Sequence, residues 1–112
     1  MDASGDFSNQ SEDCSGAPDF PEGALVRELP IVNKKGLHAR ATAKFVQCVE
    51  NFDCDIFVSR CGETVGGASI MGILTLGAGI GTTISVAAIG PQAEQAIEAI
   101  TALVANRFGE DE

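Results

Sequence analysis

Asn33-Lys34-Lys35-Gly36-Leu37-His38-Ala39-Arg40 decides how the rest of this 112-residue chain is read. It stands between an apolar run, Leu25 to Val32, and residues 39–51, where Arg40, Lys44, Gln47 and Asn51 recur at helical spacing. Lys35-Gly36 therefore turns a strand into an amphipathic helix whose buried stripe is Phe45, Val46 and Val49. The stretch also holds the only histidine in the chain. A neutral imidazole is a competent nucleophile. A helix start supplies unpaired N–H groups and positive dipole charge, which favour an anion such as phosphate. Arg40 adds a fork of donors matched to phosphate oxygens. Nucleophile, anion cradle and charge clamp fall together, which points to phosphoryl acceptance. A lone histidine after a glycine turn is, on local chemistry alone, more often a surface or capping residue than a nucleophile.

Outward from that stretch, Leu29 and Ile31 share one face of the first strand, and Pro30 places it at a sheet edge because proline cannot donate to a ladder. Cys54 to Arg60 is a second strand, with Ile56 and Val58 facing one way. Cys61-Gly62 turns it into a short return strand, Glu63 to Gly67. Ser69 caps a short helix, Ile70 to Leu76, that is apolar nearly all round, so part of it should remain exposed as a contact patch. Gly77-Ala78-Gly79-Ile80-Gly81 follows a helix and precedes a strand, the reverse of a nucleotide-binding glycine loop, and reads as a flexible connection. Thr82 to Ile89 alternates, with Ile84, Val86 and Ala88 on the inner face. Gly90-Pro91 opens a last helix with proline in its first turn. Its stripe is Ala93, Ala96, Ile97, Ile100, Leu103 and Val104, with Glu94 and Arg107 complementing the dipole and Gly109 as a cap. The order β-α-β-β-α-β-α predicts an α+β domain, a four-stranded antiparallel sheet covered on one face by three helices.

The net charge of −9 divides unevenly. Residues 1–24 carry six acids and no base, residues 25–108 seven of each, and residues 109–112 three acids. Three segments follow: an acidic N-terminal tail over 1–24, expected to be disordered because only Phe7 and Phe20 are large apolar anchors, a balanced domain over 25–108, and an acidic end over 109–112, expected to fray. No basic stripe exists for nucleic acid or an anionic membrane surface. Neither a secretory signal nor a run long enough for a membrane helix is present, so the expected location is cytoplasmic. Cys14, Cys48, Cys54 and Cys61 show no CxxC pairing and one histidine cannot complete a ligand set, so no metal is expected and the thiols are read as reduced. A cysteine-nucleophile enzyme would need His38 beside a thiol, of which the sequence gives no sign.

Gly36-Leu37-His38-Ala39-Arg40, followed by Ala43-Lys44-Phe45-Val46, resembles the active-site segment of the HPr family, the histidine phosphocarriers of the bacterial phosphotransferase system. Ser69-Ile70-Met71-Gly72 with Leu76-Gly77 resembles the family's regulatory-serine segment at the expected distance, and the similarity covers about residues 25 to 108. The resemblance implies an open-faced β-sandwich of strand order 1-4-2-3. It further implies that His38 takes a phosphoryl group on Nδ1 from phosphorylated enzyme I, itself charged by phosphoenolpyruvate, and passes it to an enzyme IIA domain. Arg40 and the helix-start amides would hold the phosphate. Ser69 would be the site of a regulatory phosphate added by an HPr kinase/phosphorylase. Ala39, Ala43, Ile70 and Met71 would form the partner-docking face. A monomeric transferase component without cofactors follows, rather than a free-standing enzyme. The alternative is a regulatory binding module whose phosphorylation state is read by partner proteins, in the manner of a nitrogen-related branch that the segment Lys34 to Ala41 resembles. Ala41 stands where the family usually has proline.

Overall fold

Period-two alternation puts Ile84, Val86 and Ala88 of one strand on the inner face of a sheet, and all three are buried. The structure, a computed structural model, describes residues 20–110. Its elements are β1 (Leu25–Pro30), α1 (Ala39–Val49), β2 (Asp55–Arg60), β3 (Glu63–Gly66), α2 (Ile70–Thr75), β4 (Thr83–Ile89) and α3 (Ala93–Ala105). A 3₁₀ turn, Arg107–Gly109, follows. The strands form one antiparallel sheet in the order β1-β4-β2-β3, the order expected. Val86 of β4 lies between Arg27 of β1 and Val58 of β2. Pro30 ends the edge strand opposite Thr83, where its missing N–H costs no ladder bond.

Three helices cover one face. Phe45, Val46 and Val49 of α1, Ile73 of α2, and Ala96, Ile97, Ile100 and Val104 of α3 are buried with Leu29, Ile31, Val58 and Ile84 of the sheet side. Fully burying a Val, Ile or Phe side chain is worth about 1.5–3 kcal/mol relative to leaving it exposed. These side chains hold the three helices in fixed positions on the sheet. The functional segment therefore sits on a rigid base.

Three local expectations are corrected. Pro91 precedes α3 and lies outside it: Gly90 is at φ +137° and packs so tightly that a Cβ there would come 2.7 Å from the Cα of Cys54. Gln92 caps α3 without a side-chain bond to it, because its Oε1 accepts from the Asp53 N–H at 2.7 Å while its own N–H donates to the Asp53 carbonyl. Arg107, expected near the end of α3, lies just beyond it. The glycine-rich segment 77–81 is pinned rather than flexible: the Ala78 carbonyl accepts from the Leu37 N–H at 2.9 Å, and Gly81 N–H donates to the Ile31 carbonyl at 3.0 Å.

Cys48 and Cys54 are free, whereas Cys61, exposed at the β2–β3 turn, is disulfide-bonded, which corrects the reading of reduced thiols throughout. The expectation of a disordered tail falls mostly on residues 1–19, outside the described residues. Within the remainder, Ala24 N–H closes a turn onto the Pro21 carbonyl at 3.3 Å.

Candidate functional site

His38 is the N-cap of α1, with an extended backbone (φ −79°, ψ −178°). What precedes it is tightly fixed. Gly36 N–H donates to the Asn33 carbonyl, the Asn33 amide returns a bond to the Gly36 carbonyl at 2.8 Å, and His38 N–H donates to that same carbonyl. Leu37 is buried, and the Thr42 hydroxyl donates to its carbonyl at 3.3 Å. The imidazole therefore leaves the surface from a backbone with little freedom, with 29% of its side chain exposed.

The two ring nitrogens have different partners. Nδ1 accepts from the Arg40 backbone N–H at 3.3 Å. Nε2 lies 2.5 Å from a carboxylate oxygen of Glu110. The other Glu110 oxygen accepts from the Asn33 amide at 3.0 Å. That amide bond, then the His38 ring and the Lys35 charge, hold the Glu110 carboxyl below the usual carboxylate range against its partial burial. An ionised carboxylate only accepts, so Nε2 carries the proton and Nδ1 presents its lone pair. Nδ1 thus faces the head of α1, where the first-turn N–H groups have no intrahelical acceptor.

Arg40 is exposed in the first turn, beside the same helix start. Ala39 is exposed and Ala43 half-buried. Ser69 caps α2 as expected, its hydroxyl accepting from the Gly72 N–H at 3.0 Å. Directly after it, Ile70 and Met71 are 41% and 72% exposed. α2 packs against α1, which puts this apolar pair and the histidine helix on one side of the sheet. Arg60 of β2 donates to the Leu76 carbonyl at 3.0 Å and ties down the far end of α2.

Glu110 was not among the residues expected here, and the acidic end was expected to fray; at Glu110 it is instead bonded into the site. Phe108 is buried, the Lys44 ammonium donates to its carbonyl at 2.8 Å, and Gly109 and Glu110 N–H groups close turns onto Asn106 and Arg107. Arg107 and Phe108 both adopt φ +56°, a conformation that costs a non-glycine residue on the order of 1–3 kcal/mol and persists only where surrounding contacts impose it. The sole sequence signal for this hook is Phe108-Gly109, an apolar residue and a turn former past the end of a helix.

Burial raises the Cys48 thiol, and burial with the Asp55 and Asp53 charges raises Cys54, so neither is activated as a thiolate. Among the described residues no group of three His, Cys, Asp or Glu is gathered to hold a metal ion, and no described helix is long and apolar enough to cross a membrane.

An open-faced sandwich that presents one oriented imidazole at a helix start is an arrangement that suits a class of small domain carrying a group on that ring. Comparison with known proteins narrows the class. The family model described as the PTS HPr component phosphorylation site matches residues 25–106. Phosphocarrier protein HPr of Cupriavidus necator is 49% identical over 88 residues, covering 79% of this chain and 99% of its own. Phosphocarrier protein NPr of Shewanella violacea is 40% identical over 86 residues, covering 77% and 94%. Among solved structures, HPr-C-His from Thermoanaerobacter tengcongensis superposes with a TM-score of 0.76 at 39% identity, covering 79% of this chain and 99% of that one. HPr from Bacillus anthracis gives 0.71 at 40% identity, covering 74% and 99%. The chain belongs to the HPr family of phosphotransferase-system phosphocarriers.

Proposed function

We propose that His38 accepts a phosphoryl group on Nδ1 from phosphorylated enzyme I, charged by phosphoenolpyruvate, and passes it to enzyme IIA domains. The observation that carries this reading is the pairing of the two ring nitrogens: Nε2 is engaged by Glu110, and the Nδ1 lone pair faces the helix start. Transfer needs little covalent chemistry from the protein and depends on position and charge stabilisation. The phosphoryl group would lie over the first turn of α1. Its oxygens would take the Arg40 backbone N–H, released from Nδ1 as the lone pair is used, and the Arg40 guanidinium.

Ala39, Ala43, Ile70 and Met71 supply the partner-docking face, and the exposure of the last two supports that assignment. Ser69 is a second acceptor, for a regulatory phosphate added by an HPr kinase/phosphorylase. The carrier unit is residues 25–108, with segments 1–24 and 109–112 acidic and, apart from Glu110, outside it. It works as a monomer in the cytoplasm, needs no cofactor, and contacts neither nucleic acid nor membrane. As a transferase component it is regenerated at each transfer.

The test is a relay. Enzyme I, phosphoenolpyruvate and a panel of IIA domains are combined with and without this chain, and phosphate on each IIA is followed by mass spectrometry. Phosphate should reach a IIA only when the chain is present, and the IIA that takes it separates sugar transport from the nitrogen-related branch. A phosphorylated chain that passes phosphate to no IIA would favour the regulatory reading.

A further inference from the structure

We propose that Cys61 is joined to Cys14 by a redox-sensitive disulfide, and that this bond straps residues 14–24 across the open face of the sheet. The inference stands apart from the reading of His38. Cys61 is disulfide-bonded, Cys48 and Cys54 are free, and the chain has four cysteines. Cys14, outside the described residues, is the partner left by elimination.

The backbone at Cys61 is the first argument. Cys61 at φ +56° and Gly62 at φ +82° form the two-residue turn between β2 and β3. Both positions are left-handed, as in a type I′ hairpin turn, whose usual first residue is asparagine, aspartate or glycine. A cysteine is strained in that place, and strain persists where other contacts hold it. The turn also leaves Cys61 exposed. Burial raises the Cys48 and Cys54 thiols and keeps them protonated, so among the described cysteines Cys61 is the one placed for exchange.

The open face is the second. Alternation turns Ile56, Val58, Ile84, Val86 and Ala88 toward the helices, so Phe57, Ser59 and Ala87 point the other way. Val26, Ala87 and Phe57 lie side by side in register across three strands. Ala87 and Ser59 are nonetheless 0% and 1% exposed, and Ala87 is buried outside the core cluster that the helices close. Small side chains in the middle of a bare sheet face solvent; these do not, which calls for a cover on that side.

Chain of sufficient length is at hand. Leu25 stands level with Ala88 and so with Ile56, five residues before Cys61, and β1 and β2 are two strand spacings apart. The diagonal is roughly 20 Å. From Cys14 to Leu25 an extended chain reaches about 36 Å, which leaves room for the turn that Ala24 closes on Pro21.

The bond forms by exchange with a small-molecule disulfide of the glutathione type. The Cys61 thiolate attacks one of its sulfurs and releases a small thiol; the Cys14 thiolate then attacks the mixed disulfide at Cys61 and releases the other. Two protein thiols are oxidised to one disulfide, the small disulfide is reduced to two thiols, and the two protons pass to them. Excess small thiol runs the exchange backwards. In a compartment that keeps thiols reduced, such a bond acts as a sensor rather than a permanent staple. Breaking it frees the strap and uncovers Ala87 and Phe57 beside Val26, an apolar band on the sheet.

Full-length wild type, Cys14→Ser and Cys61→Ser are equilibrated in glutathione buffers of graded redox poise, and remaining thiols are blocked by alkylation. Non-reducing peptide mapping should find Cys14 linked to Cys61 in wild type at the oxidised end, and both alkylated at the reduced end. The thermal midpoint of wild type should fall by about 10 °C or more on reduction, and neither variant should respond. A soluble paramagnetic probe should quench the Ala87 methyl signal in reduced wild type and spare it in oxidised wild type. Val26, 53% exposed at the edge, serves as the reference quenched in both. Cys61 left unlinked under oxidised glutathione, or linked to a second copy of the chain, overturns the proposal. Equal quenching of Ala87 in the two states overturns the strap, and a link that survives the reduced end overturns the switch. These readings come from wild type alone and hold even where a serine variant fails to fold.

Discussion

The Ala78 carbonyl oxygen accepts from the Leu37 N–H at 2.9 Å, and a Cβ on neighbouring Gly36 would lie 2.6 Å from that same oxygen. The glycine-rich segment before β4 is therefore the support on which the histidine turn rests. Gly36 adopts φ +68°, so both its conformation and its lack of a side chain are used.

Gly36→Ala should accordingly cost about 1–3 kcal/mol, because it combines left-handed strain with a backbone clash. Urea denaturation measures this directly. Phosphorylation should slow as well, since His38 N–H donates to the Gly36 carbonyl. Wild-type stability would show that the 77–81 segment gives way freely.

Arg40→Ala should leave the Arg40 backbone N–H and the fold in place while slowing phosphoryl acceptance. A charged hydrogen bond to phosphate is worth roughly 1.5–3 kcal/mol when well placed. Stopped-flow transfer from enzyme I checks it, and unchanged kinetics would mean the helix-start amides suffice.

Ser69→Ala should destabilise by about 1 kcal/mol through loss of the cap to Gly72. Ser69→Asp should keep the thermal midpoint, because an anion suits a helix N-terminus, yet slow phosphorylation of His38 by placing charge beside exposed Ile70 and Met71. A wild-type rate in Ser69→Asp would remove this helix from the docking face.

The Glu110 contact also has a pH signature. Its carboxyl is held low in the folded chain, chiefly by the Asn33 amide and then by the His38 ring. A group with a depressed folded pKa adds stability above its ordinary carboxylate range and loses it as pH falls through the folded value. Wild type should therefore lose more stability than Glu110→Gln on acidification below the ordinary carboxylate range, and equal acid profiles would argue against the contact.

Much of this was legible in the sequence because it is local. Alternation at Ile84, Val86 and Ala88 and the stripe through Ile97 and Ile100 are period signals, and Pro30 announced an edge. Ser69 and His38 stand at helix starts that their own neighbours define. What was missed depends on contacts between distant segments. Glu110 looked like the start of a fraying end because nothing nearby shows that Phe108 is buried under α1. The 77–81 segment looked flexible because its partners, Leu37 and Ile31, lie on the far side of four elements. Pro91 was placed inside α3 by the usual first-turn preference, and the close approach of Gly90 to Cys54 overrode it.

The central claim concerns one nitrogen atom. Chain labelled with 15N on its imidazole is phosphorylated with enzyme I and phosphoenolpyruvate, then examined by NMR in alkaline buffer alongside His38→Ala. The account predicts an acid-labile phosphoryl group whose phosphorus couples to Nδ1 of His38, with Nε2 still protonated and with no phosphate on the variant. Phosphate on Nε2, or an equal amount on His38→Ala, would contradict it.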